Sequence, residues 1–338
     1  MDGEGGETIE CARSTDAAFD LPAVLARLDT HDPDEQRAAV ETIRDTLTDD
    51  PGICLPTVPK LRELLGRTEL DFHDEVAYCL AELATESTAD VAPSVDEIVA
   101  FVAENPSTAA TGELLRCLAT VAADQPTAVL EHAAAIADVL EQRSGYDRQG
   151  LRIFDSLSRK RPSAIEPASE VLVDALTAAP VENGVIVLSA LGRLARSGTS
   201  LSTLEFVAPA RTLVDHDETP LRRNAVGCLA DVARRHPAAI EPATDDLAGA
   251  IEHDDPETRA NAAAALARVA SSVGPDLESA RSPLVAALED EHKRVRANAC
   301  VAIGHAGFES VADRLEELAC GDPEPDVRER ARWALDRV

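Results

Sequence analysis

Apolar residues recur along the chain at i, i+3, i+4 and i+7, the spacing that gathers them on one face of an α-helix. Ile240, Leu247 and Ile251 form one such stripe. No sustained period-two alternation breaks the pattern, and the run Gly184-Val185-Ile186-Val187 stays within the helical register. The fold class expected is therefore all-α. Superposing the sequence on itself reveals a repeat of about 37 residues. Its anchor, an apolar residue in the second helix of each unit, falls at Ile43, Leu80, Leu118, Leu157, Leu191, Leu229, Leu266, Ile303 and Leu335. The gaps are 37, 38, 39, 34, 38, 37, 37 and 32, a regularity that chance does not produce and that a strand reading would destroy.

Each copy follows one grammar. A proline ends the preceding helix and opens the next, where its missing N–H costs nothing; Pro51, Pro126, Pro162, Pro237 and Pro275 occupy this place. An amphipathic first helix follows, then an acidic turn whose carboxylates cap the incoming helix, then an Ala-rich second helix carrying the anchor. The units expected are 19–48, 51–87, 91–124, 126–161, 162–197, 200–236, 237–272, 275–307 and 308–338. One such unit cannot bury its apolar face alone, so nine of them should stack into a single solenoid over 19–338, with end units as caps. Residues 1–18, acidic and without the apolar stretch of a signal peptide, read as a disordered tail.

The stretches HDDPETRANAAAAL, DEHKRVRANACVAI and GDPEPDVRERARWAL share an acidic turn, a Thr-Arg or Val-Arg step and an Ala-rich helix. They resemble the HEAT repeat, most clearly from residue 200 onward, although the third and fifth units lack the turn arginine. The short final stretch, 305–338, resembles the compact HEAT subtype named after phycobilisome lyases. The resemblance covers about 19–338. It implies an α-α superhelix of the HEAT/armadillo kind, with first helices on the convex face, second helices on the concave face, and a role as scaffold or adaptor.

Composition refines this picture. Hydrophobic residues make up 45% of the chain but aromatics only 3%, so the core must be aliphatic and small. Sixty-two acidic residues face 32 basic ones for a net charge of -30, and only Lys60, Lys160 and Lys293 are lysines. This balance resembles the proteome-wide habit of salt-in halophiles, above all the haloarchaea. In molar salt the Debye length is about 3 Å, so the acidity says little about a partner. No stretch reaches the roughly 18 apolar residues of a membrane helix. The seven cysteines form no CxxC pair, and Cys79, Cys117, Cys228 and Cys300 lie in helical apolar patterns. They read as reduced core thiols of a cytoplasmic protein.

On a helical wheel, the positions five before, two before and two after each anchor point away from the buried face and should form three columns along the concave surface. Units six to nine supply the partner-binding candidates Asn224, Asp231, Asn261, Arg268, Asn298, His305, Arg330 and Trp333. Asn224, Asn261 and Asn298 recur at intervals of 37. A column of amides can pair with the backbone of an extended peptide, and it resembles the asparagine ladder of armadillo proteins. The competing reading is that these side chains brace neighbouring turns. Arg222, Arg259, Arg296 and Arg328 are expected to be structural, pairing with turn acids such as Asp217 and Asp254. Trp333, the sole tryptophan, is either an aromatic anchor for a partner or a cover for the open end. Gly227 and Ala264 are expected to leave the groove floor open.

Nucleotide-binding glycine loops, GxSxG and HExxH are all absent. His31, His216 and His253 recur in the turns, but adjacent repeats lie roughly 10 Å apart, too far to share a metal whose ligands sit at about 2 Å. No catalytic residue, metal or cofactor is expected. The partner expected is another protein. Alternatives are a structural subunit of a stable complex, a nucleic-acid-binding HEAT-like protein and a lyase-type HEAT enzyme. The basic cluster Arg159-Lys160-Arg161 stands alone, and one Trp and two Tyr offer few stacking platforms for bases.

Overall fold

The computed structural model describes residues 19–143, 146–199, 201–273 and 277–338. The expected tail at 1–18 and the helix-opening Pro275 lie outside the described residues. Among those described there are nine successive helix pairs and no strand. The second helices are Pro33–Leu47, His73–Glu86, Ala109–Asp124, Arg148–Lys160, Pro180–Ser197, Thr219–Val232, Pro256–Val273, Lys293–Ala306 and Pro325–Leu335. Each packs on the next, forming one layer, while the first helices form another outside it. The chain is an all-α solenoid.

Eight of the nine anchors, Ile43 through Ile303, have no exposed surface at all. Leu335 is only half-buried because the last pair has a neighbour on one side. The stack is dense because small residues lie between the second helices. A Cβ on Gly192 would come within 3.3 Å of the Cys228 Cα, and one on Gly304 within 2.9 Å of the Ala334 Cα. Backbones approach this closely only where side chains are absent or minimal, which is what a core with 3% aromatics permits.

The turns cap the second helices as their acids suggest. Asp32 accepts from the Asp34 N–H at 3.0 Å, Asp147 from Gln149 at 2.8 Å, Asp255 from Thr258 at 2.8 Å and Asp290 from His292 at 2.7 Å. The first helices differ from the simple expectation of one continuous rod. A proline within the first helix of several pairs, at Pro56, Pro93, Pro167 and Pro242, falls in a 3-10 turn that precedes the longer helical segment. Proline removes one i to i-4 hydrogen bond and its ring crowds the preceding turn, so the chain tightens locally instead of continuing as α-helix.

Trp333 rests in the space that Gly304 leaves: a Cβ there would lie 2.7 Å from the Trp333 Cζ3. Gly304→Ala is therefore expected to destabilise the chain by about 1–3 kcal/mol through overpacking. Thermal unfolding followed by circular dichroism measures the cost, and the emission of the single tryptophan should shift in the folded variant. An unchanged midpoint and unchanged emission would contradict this packing.

Candidate functional site

Two sets of side chains recur with the repeat, one in the turns and one on the face of the second helices. In the turns, four arginines make the same pair of bonds. The Nη1 of Arg222 donates to the carbonyls of His216 and Asp217 at 2.7 and 3.3 Å, and that of Arg259 to His253 and Asp254 at 2.9 and 2.8 Å. Arg296 reaches Asp290 and Glu291 at 2.7 and 3.1 Å, and Arg328 reaches Asp322 and Pro323 at 2.6 and 3.1 Å. These main-chain oxygens would otherwise face the interior of the turn unpaired. The expected pairing with the carboxylates of Asp217 and Asp254 is thus corrected: the guanidinium Nη1 donates to the backbone carbonyls of those residues, two adjacent acceptors within reach of one nitrogen.

The second edge of the fork reaches forward one repeat. Arg259 grips Asp290 at 2.6 and 3.0 Å, and Arg296 grips Asp322 at 2.7 and 3.1 Å. Burial alone would raise the carboxyls of Asp290 and Asp322, but the arginines and the capped N–H groups hold both below the usual carboxylate range. The chain thereby ties three consecutive turns together. The step before it is different. The residue 31 positions after Arg222, where Arg259 has Asp290, is His253, which pairs with Asp215 at 3.2 Å, and the buried Nε of Arg222 has no partner. Where the turn arginine is missing, other donors substitute. In the third pair Arg143 reaches back to the Pro106 carbonyl at 2.6 Å, and in the fifth Asn183 donates to the Ala175 carbonyl at 2.9 Å.

On the second-helix face, most of the three expected columns consist of half-exposed residues. The asparagines are not equivalent. Asn224 donates to the Pro220 carbonyl of its own helix at 2.8 Å. Asn298 donates to the Ala260 carbonyl of the preceding repeat at 2.8 Å and accepts from Arg330 at 3.0 Å. Asn261 alone makes no side-chain hydrogen bond among the described residues, and its Nδ2 lies 3.5 Å from where a Gly227 Cβ would stand. The floor expected to be open at Gly227 is therefore partly covered by this amide. Arg268 is tied to the Ala230 carbonyl and lies near Asp231.

At the last pair, Trp333 is half-buried, with the Arg337 guanidinium 4.0 Å above its ring and the His305 ring edge-on at 4.7 Å. Burial, then the Arg337 charge, holds His305 below its ordinary value. These contacts make Trp333 a cover over the eighth pair.

No group of three His, Cys, Asp or Glu residues among those described is placed to hold a metal ion. The described cysteines other than Cys320 are buried, and burial pushes the thiols of Cys79, Cys117 and Cys300 up to about 12. His216 accepts the Glu218 N–H at 3.1 Å, a turn contact. One cleft, of about 480 Å³, opens on the second-helix face between the third and fourth pairs, lined by Ala119, Ala123, Arg152, Asp155, Arg159 and Lys160. The exposed arginines five positions after the anchor, Arg196 and Arg234, were not anticipated from the three columns; the same wheel carried one turn further reaches them.

A family model for HEAT repeats matches residues 244–336, the last three helix pairs. No curated protein matches in sequence. Among solved structures 327 chains match, so the likeness concerns a widespread architecture. An engineered protein from a structural-genomics consortium is 18% identical, with a TM-score of 0.64 over 93% of this chain and 97% of its own. A chain from a study of a phosphorylation switch controlling the interaction between cadherin and beta-catenin is 16% identical, with a TM-score of 0.73 over 88% of this chain and 66% of its own. At such identities the likeness establishes the fold, a HEAT/armadillo-like solenoid.

The turn ladder has a pH signature. A carboxyl held below its unfolded value adds stability above the ordinary carboxylate range and loses it as pH falls through its folded value. Asp322, whose side chain is 2% exposed, should therefore contribute to acid unfolding. Asp322→Asn is expected to cost about 2 kcal/mol at neutral pH and to weaken the pH dependence on the acid side. Chemical denaturation across that range tests both, and a variant as stable as the parent at neutral pH would overturn the ladder.

Proposed function

We propose that the chain is a non-catalytic scaffold that binds a segment of another protein along the face of its second helices. The observation that carries this reading is the continuity of that face: stacked second helices present half-exposed polar residues at the same register from pair to pair, including the uncommitted amide of Asn261. A lattice of donors and acceptors at repeat spacing suits an extended backbone. By its resemblance to HEAT repeats this is the concave face.

Several observations favour binding over catalysis. The described thiols other than Cys320 are buried, and Arg159 and Asp155 in the second-helix cleft are ion-paired at 2.8 Å. The lyase-like shape of the last pair is a likeness of fold, which implies no activity. The exposed large apolar residues described, Ile53, Tyr78, Val181 and Val185, include no broad patch. That favours a separable adaptor over a permanent subunit, whose interface would be more apolar. No described helix is long and apolar enough to cross a membrane. The net charge of -30 and the three lysines fit the cytoplasm of a salt-in halophile, of the haloarchaeal kind.

Affinity capture from the host lysate in molar KCl, followed by hydrogen exchange on the complex, tests the proposal. A stoichiometric protein partner should protect the second helices of the later pairs, and Asn261→Ala should weaken capture with the helical circular dichroism unchanged. Protection confined to the first helices, or no protein partner at all, would sink the reading.

A further inference from the structure

In a chain of net charge -30, one gathering of cations runs across several repeats. The C-terminal ends of the second helices of pairs four to seven bring together Arg159, Lys160, Arg193, Arg196, Arg234 and Arg268. The contacts are continuous from pair to pair. Asp155 accepts from Arg159 at 2.8 Å and from Arg193 at 2.7 Å, the latter from the next repeat. Asp231 lies 3.9 Å from Arg196 of the preceding repeat and 3.8 Å from Arg234. Arg268 reaches back to the Ala230 carbonyl, and a Cβ on Gly198 would overlap the Arg235 guanidinium.

The depth of these groups matters more than their number. The two carboxylates are recessed, with side chains 17% and 20% exposed, whereas Arg159, Arg196 and Arg234 are 64%, 54% and 50% exposed. The acids sit beneath the arginines and hold them up, so what solvent meets is positive. Around Asp231 the pairing is loose, and one carboxylate faces several guanidiniums. Their hydrogen-bond donors are far from saturated.

We infer that this strip docks an acidic, extended segment of the partner protein, an inference that rests on the scaffold reading above and names the chemistry of its ligand. Guanidinium forks match carboxylates in geometry as well as charge. Four stacked repeats at roughly 10 Å each span about 30 Å, the length of about nine extended residues. The cleft lined by Ala119, Ala123 and Arg152 adjoins the strip and offers room for a side chain. A nucleic acid fits less well. Tyr78 and Trp333 lie in the second and ninth pairs, outside the strip, and Phe154 and Phe206 within it are buried. Tyr146 of the fourth pair is half-buried at the opposite, N-terminal end of its second helix, so no described aromatic at the C-terminal ends is left for bases to stack on.

The test is fluorescence anisotropy with a labelled oligo-glutamate peptide, at the lowest KCl concentration at which circular dichroism shows the chain folded. The peptide should bind, and Arg159→Gln, Arg196→Gln and Arg234→Gln together should weaken it by at least about tenfold. Arg337→Gln, outside the strip, should have no effect. If the triple variant is unstable, Arg159→Glu alone, at the most exposed of the three, should still weaken binding. No binding by the parent chain, equal binding by the variants, or binding of oligo-thymidylate in preference to the peptide would each overturn the inference. A captured partner that protects the second helices but carries no acidic segment would overturn it too, while leaving the scaffold reading intact.

Discussion

Everything in this molecule depends on second helices lying close against one another. A lone helix pair leaves its apolar stripe in water, so each repeat is stable only through its neighbours. That contact is made by small residues: Gly192 beside Cys228 and Gly304 beside Ala334 leave no room even for a methyl group without displacement. Aliphatic anchors with no exposed surface then fill the layer between first and second helices. The scarcity of aromatics follows from the same constraint, since bulky rings between the helices would force the repeats apart.

Close stacking creates a problem in the turns, and the arginines solve it. In the last four pairs the tight turn leaves carbonyls pointing inward, and a guanidinium six residues on satisfies two at once. The same side chain then holds the acid of the next turn, which itself caps the next helix. One residue type thus links turn shape, helix start and repeat-to-repeat registry. At Arg222 the forward acid is replaced by His253, and the buried Nε is left without a partner. The third and fifth pairs show that the carbonyl requirement persists where the arginine is lost, because Arg143 and Asn183 arrive from other positions to meet it.

The helical period, the repeat and the buried anchors were legible in the sequence because they depend on spacing along one chain. The acidic turns were legible for the same reason: a cap acts on a backbone N–H two or three residues away. Contacts between repeats were harder to read. Nothing local distinguishes Asn261, whose amide makes no hydrogen bond among the described residues, from Asn298, which braces the Ala260 carbonyl and receives Arg330. Their sequence surroundings are nearly identical, and the difference lies in what the neighbouring helix offers. The proline-induced 3-10 turns of the first helices were legible in principle, since Pro167 and Pro242 stand in the same IEPA stretch. The turn arginines do pair with turn acids, but with Asp290 and Asp322 of the following repeat and not with Asp217 and Asp254, whose carbonyls they bind; carbonyls are invisible in a sequence.

Net charge proves to be a poor guide to the surface a ligand meets. The 62 acidic residues are spread along the whole chain, and wherever the ionic strength is molar their field dies within about 3 Å. Under those conditions only groups in direct contact with a ligand act on it, so the local arrangement outweighs the total. Asp155 and Asp231 count as negative in any sum over the chain, yet both lie beneath the guanidiniums they orient. Asp155, hydrogen-bonded to both, fixes the long side chains of Arg159 and Arg193 in place, which lowers the entropy that a ligand must remove on binding. An acid placed under an arginine prepares the site for another acid, and a chain this negative retains a surface for anions because its carboxylates there are turned inward.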